Sequence, residues 1–474
     1  MSRPGAALRA FGPLFWTAIA VELLHCLASY TMNAYLIVYL SRDLNFGDLR
    51  AGDLAGLLWF MGYFLPILIG ALADRYGFRQ VLSLSLGILV GGYLLASRVT
   101  AYPSMVAALL LIAAGGAAMK PVIAGTVKAV TTEATRSMGF SIYYMMINVG
   151  SLAAPFLANA VRLSTGRPAL IFVACAAVEA AALLLALLFF RDPASLAPPE
   201  PRSLLGVLRE TTGVLGNGRA LLTAAGAAAL LWAGGRMGLP PDERLGILLL
   251  WLALHFGLDE ALRSGLPLPA LLRRIPPQRL GDGRFLLFLL LFSGVWAIYS
   301  QIWTNIPLFI LRTDPSMKSR IEWFQAVDPI LIVCFQVLVS KATGRLRPLS
   351  AMVGGILVAA AAVSTVPLFG TALGAWAVGL SLAIWAFGEM MFSPRMVEYV
   401  SVTAPPDKLA LYIGYGFLPL AVGFGAGPAL GARLVRLFEA AGNPSGVWYA
   451  FGLWGALNAF ALYLYDRALG RSGP

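Results

Sequence analysis

The chain predicts an all-helical integral membrane protein, two bundles of six spanning helices with an inserted helical hairpin between them, about fourteen spans in all. Three observations predict this. Of 474 residues, 59% are hydrophobic and only 12% are charged, with a mean hydropathy of +0.78; soluble domains carry roughly a quarter charged residues. Apolar runs near the ~20 residues that cross a ~30 Å hydrocarbon core recur in two sets of six. A Pro- and charge-rich stretch, Arg191 to Arg209, breaks the pattern between them and reads as a linker.

The first six runs are Phe15 to Tyr39, Asp53 to Ala73, Gln80 to Ala96, Met105 to Val127, Met138 to Val161 and Ala169 to Phe190. The first lacks a small-residue cleavage site and is too long for a signal peptide, so it is expected to stay as a spanning helix. The second six are Phe285 to Leu311, Trp323 to Val339, Leu349 to Leu368, Leu373 to Met391, Leu411 to Val435 and Val447 to Tyr465. Domain boundaries follow: an N-terminal bundle over 1–192, a cytoplasmic linker and hairpin over 193–283, and a C-terminal bundle over 284–474. The hairpin comes from two shorter blocks, Arg219 to Ala233 and Leu245 to Leu258, joined by Gly238-Leu239-Pro240-Pro241-Asp242. These either span or lie as a re-entrant or interfacial pair. His255, followed by Asp259 and Glu260, is expected to be interfacial.

The net charge of +12 resides in short connections between apolar blocks, where the positive-inside rule places Lys and Arg; nucleic-acid binding is not expected. Arg3 and Arg9, Arg75 and Arg79, Lys128 and Arg136, Lys341, Arg345 and Arg347, and Arg467 and Arg471 all fall on one side. That side is expected to be the cytoplasm, with both termini inside a bacterial cytoplasmic (cell inner) membrane. Cys26, Cys175 and Cys334 lie far apart within apolar segments, so no disulfide framework is expected. Two histidines, His25 and His255, sit in no metal-ligand spacing, and neither a metal nor a cofactor is expected. The chain is expected to act as a monomer.

Function is carried by polar residues at membrane depth. Glu22, His25, Cys26, Ser29, Tyr30 and Asn33 share one face of the first helix. A carboxylate there costs about 2.5 to 3.5 kcal/mol on insertion scales, so it persists where it faces protein, water or a solute. The stripe therefore reads as a pathway wall. Glu22 is a candidate proton carrier. His25, one turn away, is of the residue type that ordinarily titrates between pH 5 and 8. Lys120 sits deep in the fourth run and is expected to meet an acid across the cavity, with Glu22, Asp328 and Glu389 as candidates. Arg395 and Glu398 are expected to pair within their helix.

Gly70-Ala-Leu-Ala-Asp74-Arg75-Tyr-Gly77-Phe-Arg79 resembles the cytoplasmic loop motif of the major facilitator superfamily, which implies the major facilitator fold. Lys120-Pro121, followed by Phe140-Ser-Ile-Tyr143-Tyr144-Met-Met-Ile147-Asn148-Val-Gly150-Ser151, resembles the signature of the proton-dependent oligopeptide transporter family. Gln301, Gln325 with Asp328-Pro329, and Gly388-Glu389 with Ser393-Pro394 continue that likeness. Bacterial members also carry an extra helical pair between the halves.

The chain departs from the family on the first helix. The family's Glu-x-x-Glu-Arg and its following Arg are represented here by Glu22, His25, Cys26 and Asn33. Those arginines are associated with the peptide carboxylate and with proton coupling, a role suited to planar bidentate donors. Asp328 stands where the family usually has Asn. The cavity thus loses cations and gains a carboxylate, which favours a solute less anionic than a peptide, or cationic.

Proton coupling is expected through Glu22, His25 and Lys120. Substrate contacts are expected from Tyr30, Asn33, Tyr63, Lys120, Asn148, Trp296, Gln301, Asp328 and Glu389, the last matching a family Glu associated with the substrate's amino terminus. Gly70, Asp74, Arg75, Gly77 and Arg79 form the gating loop. The expected function is secondary active transport, proton-coupled, of a small polar or cationic organic solute, peptide-like or peptide-derived. Proton-driven efflux or antiport of a drug-like compound or metabolite is the alternative, and a non-transporting sensor or enzyme on the same scaffold is a further one. The expected partners are the small-molecule substrate, protons and the lipid bilayer.

Overall fold

The computed structural model describes residues 11–193, single positions between 219 and 233, and residues 241–263, 283–404, 412 and 414–468. Helix follows helix throughout. The first half comprises α1 (Pro13–Val38), α2 (Gly47–Tyr76), α3 (Phe78–Ala96), α4 (Tyr102–Gly116), α5 (Met119–Val130), α6 (Glu133–Thr165) and α7 (Leu170–Phe189). A separate compact unit, Arg202–Leu287, holds α8 (Pro241–Arg263). The second half comprises α9 (Gly283–Trp303), α10 (Asn305–Thr313), a 3-10 segment Pro315–Ala326, α11 (Val327–Thr343), α12 (Pro348–Ala372), α13 (Val378–Thr403), α14 (Leu418–Ala440) and α15 (Gly446–Ala468). Eleven helical segments among the described residues are long and apolar enough to cross a membrane.

Two of the expected runs are broken helices, and proline accounts for both. Pro121 has no N–H to give the carbonyl of Ala117, and the helix is interrupted between Gly116 and Met119. The Tyr102–Val130 span is therefore α4 and α5 in series. Pro307 likewise gives nothing to Trp303, where α9 stops before α10 begins. Gln325 donates to the carbonyl of Ile302 at 3.0 Å, supplying a side-chain partner beside that break. The run expected from Trp323 begins earlier, in the 3-10 segment from Pro315.

In the inserted unit, α8 extends beyond the Leu245 to Leu258 block and spans 23 residues, about 34 Å at helical rise. Arg219 pairs with Asp259 at 2.6 Å, and the Trp251 indole donates to the Thr223 carbonyl at 2.9 Å, so the two sequence blocks do pack together. His255 contacts the carbonyl of Trp251 at 3.0 Å. Residues 194–218, covering most of the linker, and the turn Gly238 to Pro240 lie outside the described residues.

Small residues let helices from opposite halves touch. A Cβ on Gly56 of α2 would stand 2.3 Å from the carbonyl oxygen of Gly425 on α14, and one on Gly52 would stand 2.8 Å from that of Pro428. The backbones themselves are the contact surface.

The α2–α3 loop is pinned to the end of α7. Gly77 adopts φ +89°, a region that favours glycine, and a Cβ there would lie 3.1 Å from the Asp192 carboxylate. The Arg79 amide donates to Asp192 at 2.8 Å and its guanidinium to the Leu187 carbonyl at 2.9 Å. Gly70, Asp74 and Arg75 lie on helical backbone, and their side-chain surroundings lie outside the described residues.

Ion pairs between the halves gather at one end, opposite the end where α1 starts and α15 finishes. Arg162 of α6 forms a two-pronged pair with Glu322, Nε to Oε1 at 2.5 Å and Nη2 to Oε2 at 2.8 Å. Asn159 donates to the same carboxylate at 3.0 Å, and the Tyr35 ring lies 4.7 Å from the guanidinium. Both charges are buried. Around them Arg312 reaches Asp48, Lys318 reaches Asp43 at 3.4 Å, and Arg433 reaches Asp53 at 2.9 Å. At the other end, the described pairs stay within one half: Arg395 with Glu398 at 2.6 Å, as expected from their spacing, and Arg347 with Asp466 at 2.6 Å.

Candidate functional site

A cavity of about 170 Å³ lies between the halves, and all six residues of the α1 stripe line it. Trp59 and Tyr63 of α2, Tyr93 of α3 and Lys120 of α5 are among the residues that extend the first half's wall; Tyr299, Trp303 and Phe424 supply the second half's. The helical spacing read along α1 thus becomes one continuous polar surface.

Glu22 is nearly fully buried, with the Cys26 thiol 3.7 Å from Oε1 and no partner on Oε2. Asn33 accepts from the Trp59 indole at 3.2 Å, which fixes the amide at the far end of the stripe. The Tyr30 ring lies 5.8 Å from that of Trp303, closing the wall between the halves. The cysteines are free thiols, Cys26 and Cys175 buried and Cys334 exposed.

His25 has a partner that the stripe alone does not reveal. Its Nδ1 lies 2.8 Å from Oε1 of Glu179, a fully buried residue on α7 that does not line the cavity. The signal was present in the sequence, because Glu179 is the one charged residue in the 20-residue helix Leu170–Phe189. A lone carboxylate in an apolar span is by default a functional candidate.

Lys120 was expected to meet an acid. No carboxylate among the described residues lies within ion-pair distance of it; its ammonium instead sits 5.1 Å from the Tyr63 ring centre and 5.3 Å from that of Phe417 on the opposite half. Ring faces attract a desolvated cation, so the ammonium is held without being neutralised. It remains available to a carboxylate of a solute or of the protein.

Asp328 and Glu389 stand behind the second half's aromatic wall, outside the cavity lining. The Tyr299 hydroxyl donates to Asp328 Oδ2 at 3.2 Å, and its ring stacks on Trp385 at 5.5 Å. The two carboxyl groups are buried neighbours, and among the described residues Asp328 Oδ1 and Glu389 Oε2 have no hydrogen-bond partner. Tyr299 is the shared part: its ring faces the cavity and its hydroxyl touches the acids.

Three expected contact residues are also outside the lining. Gln301 is spent on packing, donating to the carbonyls of Ala297 at 2.7 Å and of Gly427 on α14 at 3.0 Å. Asn148 donates back to the Tyr144 carbonyl at 2.9 Å within its own helix. Trp296 is enclosed by Phe292, Tyr299, Phe392 and Phe424. Among the described residues, no group of three His, Cys, Asp or Glu side chains gathers to hold a metal ion.

Comparison with known proteins extends this geometry. A sequence model described as Major Facilitator Superfamily matches residues 18–418. Among solved structures, the chain resembles the POT family transporter PepTSo at a TM-score of 0.74 and 20% identity, covering 97% of this chain and 98% of that one. It resembles a POT family transporter in complex with thioalcohol conjugated peptide at a TM-score of 0.71 and 20% identity, over 97% and 99% of the two chains. A POT family transporter in complex with 5-aminolevulinic acid gives a TM-score of 0.71 and 20% identity over 96% of each chain.

Proposed function

Because the chain belongs to the major facilitator superfamily, we propose that it is a proton-coupled secondary transporter of a small polar or cationic organic solute bearing an amino group, peptide-like or peptide-derived. The observation that carries this reading is the charge layout of the inter-half cavity. One wall holds Glu22, His25 and the un-neutralised Lys120, and the other holds the Asp328–Glu389 pair behind Tyr299. Such a cavity offers a cation for a solute carboxylate and acids for a solute amine.

Alternating access supplies the cycle. Among the described residues, the ion pairs that join the halves lie at one end; in this reading the transporter is closed there, and by the distribution of Lys and Arg that end faces outward. A proton taken by Glu22 removes its attraction for Lys120, and a change in that attraction biases one of two arrangements of the halves. The solute supplies the rest of the bias through contacts that differ between the two arrangements. The bacterial cytoplasmic membrane, with both termini inside, is the setting this orientation implies.

Uptake into proteoliposomes under an imposed pH gradient tests the proposal, with alanylalanine, alanyl-lysine and 5-aminolevulinic acid as probes. Accumulation that follows the gradient and favours alanyl-lysine supports it. Equal movement of alanylalanine overturns the cationic preference, and accumulation against an opposite gradient makes the protein an antiporter.

A further inference from the structure

From the 2.8 Å contact between His25 and Glu179, we infer that the two form a second proton-carrying pair. In it, Glu179 on α7 positions the imidazole and holds the counter-charge for a proton that His25 takes from the cavity. This rests on the proton-coupled reading above and adds a residue to it.

The geometry gives Glu179 no other role. Its side chain is fully buried, Oε1 meets His25, and Oε2 has no partner. A carboxylate so placed must be matched by a cation or carry a proton itself. Among the described residues, the imidazole is the one ion-pair partner of Glu179. His25, by contrast, lines the cavity, while Glu179 does not. The imidazole is therefore the connection between the buried carboxyl and the space that a solute or water enters.

The surroundings make the proton movable. On the cavity side, His25 faces Glu22 and Cys26 of its own helix and the field of Lys120 from α5. Glu179 is itself neighboured by Cys175 of its own helix and by Tyr93 of α3, which also lines the cavity. Tyr143 of α6 also faces Glu22. If both carboxyls carry charge while the imidazole is neutral, two negative groups face the one cation of Lys120, and one proton on His25 balances them. A charged solute arriving beside Glu22 changes that balance, so its binding and the His25 proton are linked. One proton enters, one positive charge is gained on the ring, and the same proton leaves.

The chain has two histidines, which makes a direct test practical. In the full-length His255→Gln protein with nitrogen-15-labelled histidine, in lipid nanodiscs, one ring remains to be titrated by NMR. The expected result is a ring that changes charge between pH 4 and 9, with Glu179→Gln weakening its proton affinity by about tenfold or more. A ring with constant charge across that range, or an unchanged midpoint in Glu179→Gln, overturns the inference. Where Glu179→Gln does not fold, Glu179→Asp is expected to shift the midpoint in the same direction, and no shift again overturns it. The titration needs no transported solute, so a protein that fails every uptake assay yet titrates as expected refutes the transport reading while leaving the pair in place.

Discussion

The two halves line the same cavity with opposite strategies. The first half presents its ionisable groups directly, with Glu22, His25 and Lys120 on the wall and Glu179 one contact behind. The second half presents Tyr299, Trp303 and Phe424 and keeps Asp328 and Glu389 behind them. A charge on the wall responds to water and solute at once. An acid pair behind a tyrosine meets the cavity through the ring that carries the bonded hydroxyl. On the function proposed above, the first half exchanges protons and the second recognises a solute amine.

The sharpest test of that division begins where the halves are joined. Arg162→Ala leaves Glu322 buried without its cation, and removal of one partner of a buried pair costs about 3 to 5 kcal/mol. The expected outcome is a shift toward opening at the clamped end, read as labelling of single cysteines placed beside Asp43 and Asp53. Unchanged labelling would mean that the ion pairs do not hold the halves closed.

Glu22→Gln comes next. It is expected to lower gradient-driven uptake by about two orders of magnitude, comparable to loss of a positioned acid or base, while equilibrium exchange of labelled alanyl-lysine survives. If exchange falls equally, Glu22 acts in solute binding, and the division between halves collapses.

Asp328→Asn probes the other side. Glu389 keeps a hydrogen-bonding neighbour but loses the acidic one, and apparent affinity for alanyl-lysine is expected to fall by about tenfold, near 1.4 kcal/mol, with proton coupling intact. A coupling defect instead would place proton exchange in both halves.

Gln301→Ala is expected to have the smallest effect on transport. It removes a side-chain hydrogen bond between α9 and α14, worth about 0.5 to 1.5 kcal/mol in a folded protein. A lower melting temperature with unchanged KM for alanyl-lysine is the expected pattern; a raised KM would bring Gln301 into the binding site.

These contrasts also separate what sequence makes legible from what it does not. Spanning helices could be read because length and apolarity suffice to mark them, and the α1 stripe could be read because helical spacing alone puts six residues on one face. The pairing of His25 with Glu179 could not, since it depends on α1 and α7 packing side by side across 154 residues of chain. Lys120 misled for a related reason: a deep cation needs a partner, but periodicity does not distinguish a carboxylate from the faces of Tyr63 and Phe417. The breaks at Gly116 and Trp303 were hidden because membrane helices tolerate proline, so Pro121 and Pro307 do not by themselves announce an interruption. Gln301 and Asn148 carry polar groups at membrane depth like any binding residue, and only three-dimensional hydrogen bonding reveals that packing has consumed them.

The meeting of Gly56 with the Gly425 carbonyl has a mechanical side. A joint in which one backbone meets another, with Phe60 as the neighbouring side chain, has few rotamers to reorder, so rolling over it forfeits little rotamer freedom. It can serve as the pivot of a rocker, with the Arg162–Glu322 pair on one arm and Lys120 against Phe417 on the other. A hinge of that kind stores little energy of its own. The work of opening and closing is then set at the ends of the arms, where the ionisable groups reside.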